Sequence, residues 1–368
     1  MNEKNLYPNA CVSRRKVLEY SAIAGVACLF SPGARAVGDL DALYSEAKRE
    51  GRLTYYGGGP TATHQKAISE FQKSFPGIEC KLVAGFSNQL APQIDEQIAH
   101  KQMEADVAVL QTLQDFERWK RRGALLANSG PNFDQVVDKF KDPEGYSVGV
   151  RVYAVAYAYN PQLVAPSDVP RSALDFLKPE FSGKIISTYP HDDDITLYLY
   201  HTIVQKYGWD YMKRYMENKP RFVRGHLGVT QEIQSGRAAV SFDVSASSVP
   251  TQGGDDSHIK LAFPSSDQIP IFETRIGIFK EAPHPNAARL FEAWLLSRDH
   301  QARQGAWSTR ADVVPAGALK PLSEYNTADQ FGRFVTDEPL LSDLRKRFES
   351  YIGPISGDPV LTQGTSGR

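Results

Sequence analysis

The chain has 368 residues, of which 41% are hydrophobic and 23% charged, with a formal net charge of −1. That is enough apolar material for a sizeable core and enough length for two lobes of ordinary domain size. Past the N-terminal region, Lys, Arg, Asp or Glu interrupts every apolar run, which excludes the roughly 18 to 20 uninterrupted apolar residues of a membrane helix.

The first recognisable segment is a leader. Ser13-Arg14-Arg15-Lys16-Val17-Leu18 precedes a mostly apolar run over residues 20–30 and then Ala34-Arg35-Ala36. A basic segment, a short apolar segment and an A-x-A ending are the parts of a secretory signal peptide. The arginine pair points to the twin-arginine route, and cleavage is expected after Ala36. Val17 stands where that route favours Phe, and Glu19 where it favours Lys. An uncleaved anchor helix is the alternative. The first 36 residues hold five basic and two acidic side chains, leaving 37 basic against 41 acidic in the mature chain. Such a surface excludes a nucleic-acid partner held by charge. Of Cys11, Cys28 and Cys80 only Cys80 survives processing, so an internal disulfide is excluded even in an oxidising compartment.

From residue 39 the chain alternates between helix-like and strand-like pieces. A short amphipathic helix is predicted over residues 40–50, then a strand over 52–56. Gly57-Gly58-Gly59-Pro60 breaks the chain before a helix over 61–75 with Ile68, Phe71 and Phe75 on one face. Strand 79–84, helix 89–102, strand 105–110 and helix 113–121 repeat the unit, and a long strand over 150–159 ends at Asn160-Pro161. A second set follows: strand 183–188, helices 195–207 and 208–218, and strands 238–242 and 259–263. Strand 276–279 leads into helix 285–297, and helices near 327–334 and 340–352 close the chain. The last residues, rich in Gly, Pro, Ser and Thr, read as a flexible tail. The fold class is α/β, each lobe a mostly parallel sheet flanked by helices.

Five pieces in this order resemble a known family: Leu53-Thr54-Tyr55-Tyr56-Gly57, Asp106-Val107-Ala108-Val109-Leu110, Phe181-Ser182-Gly183-Lys184-Ile185-Ile186, Ile233-Gln234-Ser235-Gly236-Arg237-Ala238-Ala239-Val240 and Pro285-Asn286-Ala287-Ala288-Arg289-Leu290-Phe291. Over residues 40–316 the chain is similar to type II periplasmic solute-binding proteins of ABC importers, in the group that includes ferric-ion and polyamine binders. The resemblance implies a two-lobed fold joined by two crossing strands near residues 151–159 and 272–279, with a ligand cleft that closes on binding. It implies a signal peptide over 1–36, a first lobe from 37–150 with 277–352, a second lobe with the hinge strands over 151–276, and a tail over 353–368. The implied partners are a small-molecule ligand and the permease subunits of the importer, with the receptor itself a periplasmic monomer.

In open α/β sheets ligands sit off the carboxyl ends of strands, where helix N-termini offer unpaired N–H groups. The candidate ligand residues are therefore Gly58, Thr61, Ser87 and Gln111 in the first lobe and Tyr189, Asp192, Asp193 and Asp243 in the second. Each is also open to an ordinary role in a turn or cap. The run Asp192-Asp193-Asp194 could receive a cationic organic ligand, with Tyr189 adding a cation–π contact, or could cap the helix that follows. Gly58, Thr61 and Ser87 are expected to face this loop across the cleft.

Ferric-ion binders of the resembled group carry two adjacent tyrosines after the strand equivalent to residues 238–242. Here Asp243-Val244-Ser245-Ala246-Ser247 occupies that place, so an iron ligand set is missing and a ferric site is only the alternative. His64, His191 and His226 lack zinc-ligand spacing. There is no G-x-S-x-G elbow, P-loop or H-E-x-x-H, so no catalytic residue, cofactor or metal is assigned. A secreted enzyme without a recognisable motif is the alternative from another class.

Overall fold

The computed structural model describes residues 32–59, 61–249, 257–304, 307–315 and 319–360. The arginine pair and apolar run of the leader lie outside these residues. Helix α1 (Pro32–Glu50) spans the expected cleavage point.

The first lobe is built from β1 (Arg52–Gly58), α2 (Thr61–Ser74), β2 (Glu79–Gly85), α3 (Ser87–His100), β3 (Val107–Leu110), α4 (Leu113–Arg121) and the short β4 (Leu125–Leu126). β1 is buried along nearly its whole length, the continuous pattern of a central parallel strand covered on both faces. α2 turns His64, Ala67, Ile68 and Phe71 to the core at the three- and four-residue spacing of one helix face.

The chain crosses on β5 (Val148–Tyr159) into β6 (Ile186–Thr188), α5 (Asp194–Tyr207), α6 (Asp210–Glu217), β7 (Arg221–Val223), α7 (His226–Gln234), β8 (Val240–Ser245) and β9 (Lys260–Ala262). It returns on β10 (Ile269–Phe279) to α8 (Pro285–Leu295) and α9 (Arg298–Arg303). The final elements are β11 (Thr327–Ala328), α10 (Phe331–Phe334) and α11 (Glu338–Ile352).

The main sheet runs β2-β1-β3-β10-β5-β8. β1 lies parallel to β2 and β3, while β10 is antiparallel to both β3 and β5. β6 and β7 form a parallel pair, tied to β8 by a parallel bridge between Ile185 and Val240. β5 and β10 thus run side by side through both halves. Their register shifts between Thr274 and Arg275, a bulge that bends the pair where it passes from one half to the other.

One core gathers Phe71, Phe291 and Trp294 beneath the first half, with Phe71 and Phe291 edge to face at 5.0 Å. Another surrounds Phe242, which packs on Phe176, Tyr200 and Tyr215 at 5.0 to 5.3 Å. Aromatic contacts of this kind add to the stabilisation from buried area.

The structure departs from the sequence expectation in several places, and β7 and α7 fall where no element was expected. The strand expected over 238–242 runs to Ser245, which puts Asp243 inside β8 rather than in the loop after it. The helix expected over 327–334 is a strand pair with β10 followed by a single turn, because Thr327 and Ala328 align with Ile269 and Pro270. The C-terminal helices, expected with the first lobe, pack Leu341, Leu344 and Phe348 into the second core, where Phe348 meets Tyr200 and Trp209. Residues 353–360 then run back over the second half: Ser356 reaches the Tyr189 hydroxyl and the Val360 N–H donates to the Arg224 carbonyl.

Candidate functional site

Strand direction sets which loops meet. β1, β2 and β3 end at Gly58, Gly85 and Leu110 on one edge of the first lobe, and the parallel run of β6, β7 and β8 brings Thr188, Val223 and Ser245 to one edge of the second. These carboxyl edges are the positions where ligands bind open α/β sheets.

In the first lobe three of the expected residues are neighbours. A Cβ added at Gly58 would fall 2.1 Å from Ser87 Oγ, so glycine is required for this close approach. Ser87 Oγ in turn accepts from the Gln111 N–H at 3.1 Å, and the Gln111 amide lies against Gly59, whose φ is +106°. Thr61 is the first residue of α2 and also borders a groove of about 570 Å3 against edge strand β2. α3 and α4 start without a side-chain cap; at α4 the Leu113 and Asp115 N–H groups donate to the Gln111 and Thr112 carbonyls and Asp115 lies in the first turn, so α3 is the start with N–H groups left for water or solute.

In the second lobe the candidates are engaged by the protein itself. Tyr189 is buried, its ring 5.4 Å from those of His191 and Phe222 and its hydroxyl 3.0 Å from Ser356 Oγ. Asp192 takes a two-pronged bond from Arg224 at 2.7 and 3.0 Å. Asp193 caps α5 by accepting from the Thr196 N–H at 2.9 Å. Asp194 accepts from Arg345 at 2.6 Å. Asp243, fully buried, accepts from Ser187 Oγ at 3.0 Å and from the Thr188 N–H at 2.7 Å. Each aspartate of the run therefore already has a partner within the chain.

His226, at the start of α7, completes this cluster. Its Nδ1 lies 3.3 Å from Asp243 Oδ1 and its Nε2 lies 3.5 Å from Asp193 Oδ1. Burial alone would lower the imidazole pKa, but the carboxylates of Asp243 and Asp193 outweigh it and raise the value well above the ordinary one. For Asp193, burial pushes upward and is overcome by His226 and the Thr196 bonds, so its pKa falls.

Arg224 and His226 belong to this edge and were not expected there from sequence. The signal was the loop Val223-Arg224-Gly225-His226 between a strand and a helix, hidden because β7 is only three residues long. Arg151, on the crossing strand, was also missed. Its Nε donates to Gln304 and its Nη1 to the Tyr153 hydroxyl, and no carboxylate lies within ion-pair distance of it among the described residues.

Two halves joined by the paired crossing strands β5 and β10 define a two-lobed α/β fold. A family model described as bacterial extracellular solute-binding protein matches residues 53–307, and the chain belongs to that family. Among its relatives is a probable ABC transporter periplasmic-binding protein, y4fP, of Sinorhizobium fredii, 23% identical and covering 82% of this chain and 85% of the relative. The fold matches iron-bound HitA from Pseudomonas aeruginosa with a TM-score of 0.67 at 20% identity, covering 81% of this chain and 99% of that one. It also matches AfuA from Actinobacillus pleuropneumoniae, with exogenous fructose-6-phosphate bound, with a TM-score of 0.65 at 19% identity, covering 82% and 98%. These structures establish the type II periplasmic-binding-protein fold.

Proposed function

We propose that the protein is the periplasmic receptor of an ABC-type importer, capturing a small organic solute between its lobes and presenting the closed form to a membrane permease. The observation that supports this most is the bulged β5–β10 pair: two strands crossing together leave a single flexing line between two halves whose strand ends carry the candidate residues. Ligand that bridges the edges favours the closed form by its differential affinity for it, and no covalent step is needed. Export through the leader, with cleavage after Ala36, places the receptor where the solute is.

The charge of the solute follows from which groups are spent. The carboxylates that would greet a cation are paired with Arg224, His226 and Arg345, whereas Arg151 and the uncapped start of α3 remain as donors. A polar or anionic solute fits this pattern better than the cation expected from the aspartate run. Ferric ion is the second reading, favoured by the iron-bound fold relative and opposed by the absence of tyrosine from Asp243-Val244-Ser245-Ala246-Ser247.

A thermal-shift screen of the mature protein tests both. A ligand at 100 times its dissociation constant adds about 2.7 kcal/mol. Sugar phosphates and organic acids are expected among the stabilisers and polyamines are not. Stabilisation by polyamines alone would reverse the charge assignment, and consumption of the stabilising compound would point to an enzyme instead.

A further inference from the structure

Beside the hinge, between the first turn of α2, helix α9 and the crossing strands, lies a pocket of about 30 Å3 lined in part by Thr63, Arg151, Tyr153, Thr274, His300 and Gln304. A water occupies roughly 10 to 15 Å3 on this measure, so the space suits a halide or the tip of a carboxylate. Thr63, Arg151, Tyr153 and Gln304 are only partly buried, and the pocket reaches the surface between them.

Its inner wall carries polar atoms with nothing to bond. Thr274 and His300 are 4% and 5% exposed. Thr274 Oγ1 and both ring nitrogens of His300 have no hydrogen-bond partner among the described residues. Such groups are costly unless something fills the space they face. The nearest carboxylate, Glu70, stands 3.8 Å from His300 Nδ1, beyond hydrogen-bond reach. Tyr55 and His64, also in the lining, satisfy each other: His64 Nε2 donates to the Gly58 carbonyl and Nδ1 accepts a hydrogen bond from the Tyr55 hydroxyl. The bulge sets Thr274 opposite Arg151 and Arg275 opposite Gly149, bringing the hydroxyl and the guanidinium to the same wall.

The lining is rich in donors and poor in negative charge. Burial, then the positive charges of Arg151, Arg303 and Lys66, push the His300 pKa down to about 3, so its ring is neutral and offers one N–H at physiological pH. We infer that this pocket is a binding site for a small anionic group, held by the Arg151 guanidinium, the Thr274 hydroxyl and a His300 N–H. The group is either a free halide or the carboxylate of the imported solute; only the second source rests on the receptor reading.

The test is titration of the purified mature protein with sodium chloride and, separately, sodium acetate, at constant ionic strength maintained with a bulky sulfonate. The histidine ring NMR signals are followed, with His300→Gln assigning the resonance. A saturable shift of the His300 signal is expected, weakened at least about tenfold in Arg151→Gln and in Thr274→Val, the loss of one charge-assisted or buried bond. Saturation by chloride identifies a free ion, and saturation by acetate without chloride a solute carboxylate. The inference is overturned if neither titration saturates by about 0.1 M, a hundredfold above a millimolar dissociation constant, or if both variants bind as tightly as the parent. That failure would leave the solute screen unaffected, so the two readings fall separately.

Discussion

Replacing His226 by Gln removes the imidazolium set between Asp193 and Asp243. Breaking a buried ion pair from one side costs about 3 to 5 kcal/mol, because the remaining charge is left without compensation. Two features lower the value here. Asp243 keeps its bonds from Ser187 and Thr188, and the Asp193 side chain is 32% exposed, so solvent screens its share. A loss of about 2 to 3 kcal/mol is expected near pH 6, measured as the difference in unfolding free energy from urea titration. The sign with pH follows from the raised imidazole pKa. Below the unfolded value of about 6.5 both states carry the proton and the full pair contribution is present; as pH rises through the higher folded value it is lost. The gap between parent and His226→Gln therefore narrows on the alkaline side. A gap under about 1 kcal/mol near pH 6, or one that does not change into the alkaline range, would refute the ion-pair account.

Glu292 is buried against Asn128, and burial pushes its carboxyl up to about 8; its unfavourable ionisation makes the parent lose stability between pH 4.5 and 8. Glu292→Gln should match the parent near pH 4.5 and exceed it by about 2 to 4 kcal/mol above pH 8 in the same urea measurement. Gly58→Ala drives a methyl into Ser87 Oγ and should cost about 1 to 3 kcal/mol, with the melting temperature as readout. Ferric ion added to the mature protein should give no phenolate-to-iron absorption band; a visible band would revive the iron alternative. Arg14→Lys with Arg15→Lys should abolish export, and mass spectrometry of the exported parent should find Val37 as its first residue.

Much of the architecture was legible because it depends on local periodicity. The strand–glycine–helix unit from Leu53 to Phe71, the long crossing strand before Asn160 and the amphipathic face of α11 all show their period within a few residues of chain. Short pieces were lost for the same reason. β7 and β11 are two or three residues long and are held by pairing and packing with distant residues, so nothing local distinguishes them from loop.

The candidate residues divide along the same line. Gly58, Ser87 and Gln111 could be grouped in advance because each leaves a strand with its own pattern, and topology brings those ends together. Sequence also offered a cap of α5 as one of two roles for the aspartate run, and Asp193 takes it, since a cap is satisfied by the first helical turn. Only the tertiary structure decided whether the acidic run was free. Asp192 finds Arg224 32 residues away, Asp194 finds Arg345 151 residues away, and His226 is held between Asp193 and Asp243. Charge compensation is a matter of distance in space, which falls off too steeply to be read from separation along the chain. The hinge pocket was hidden for the same reason. Thr274 and His300 come from separate elements, and Arg151 meets them only where a one-residue bulge shifts the register of two strands more than a hundred residues apart.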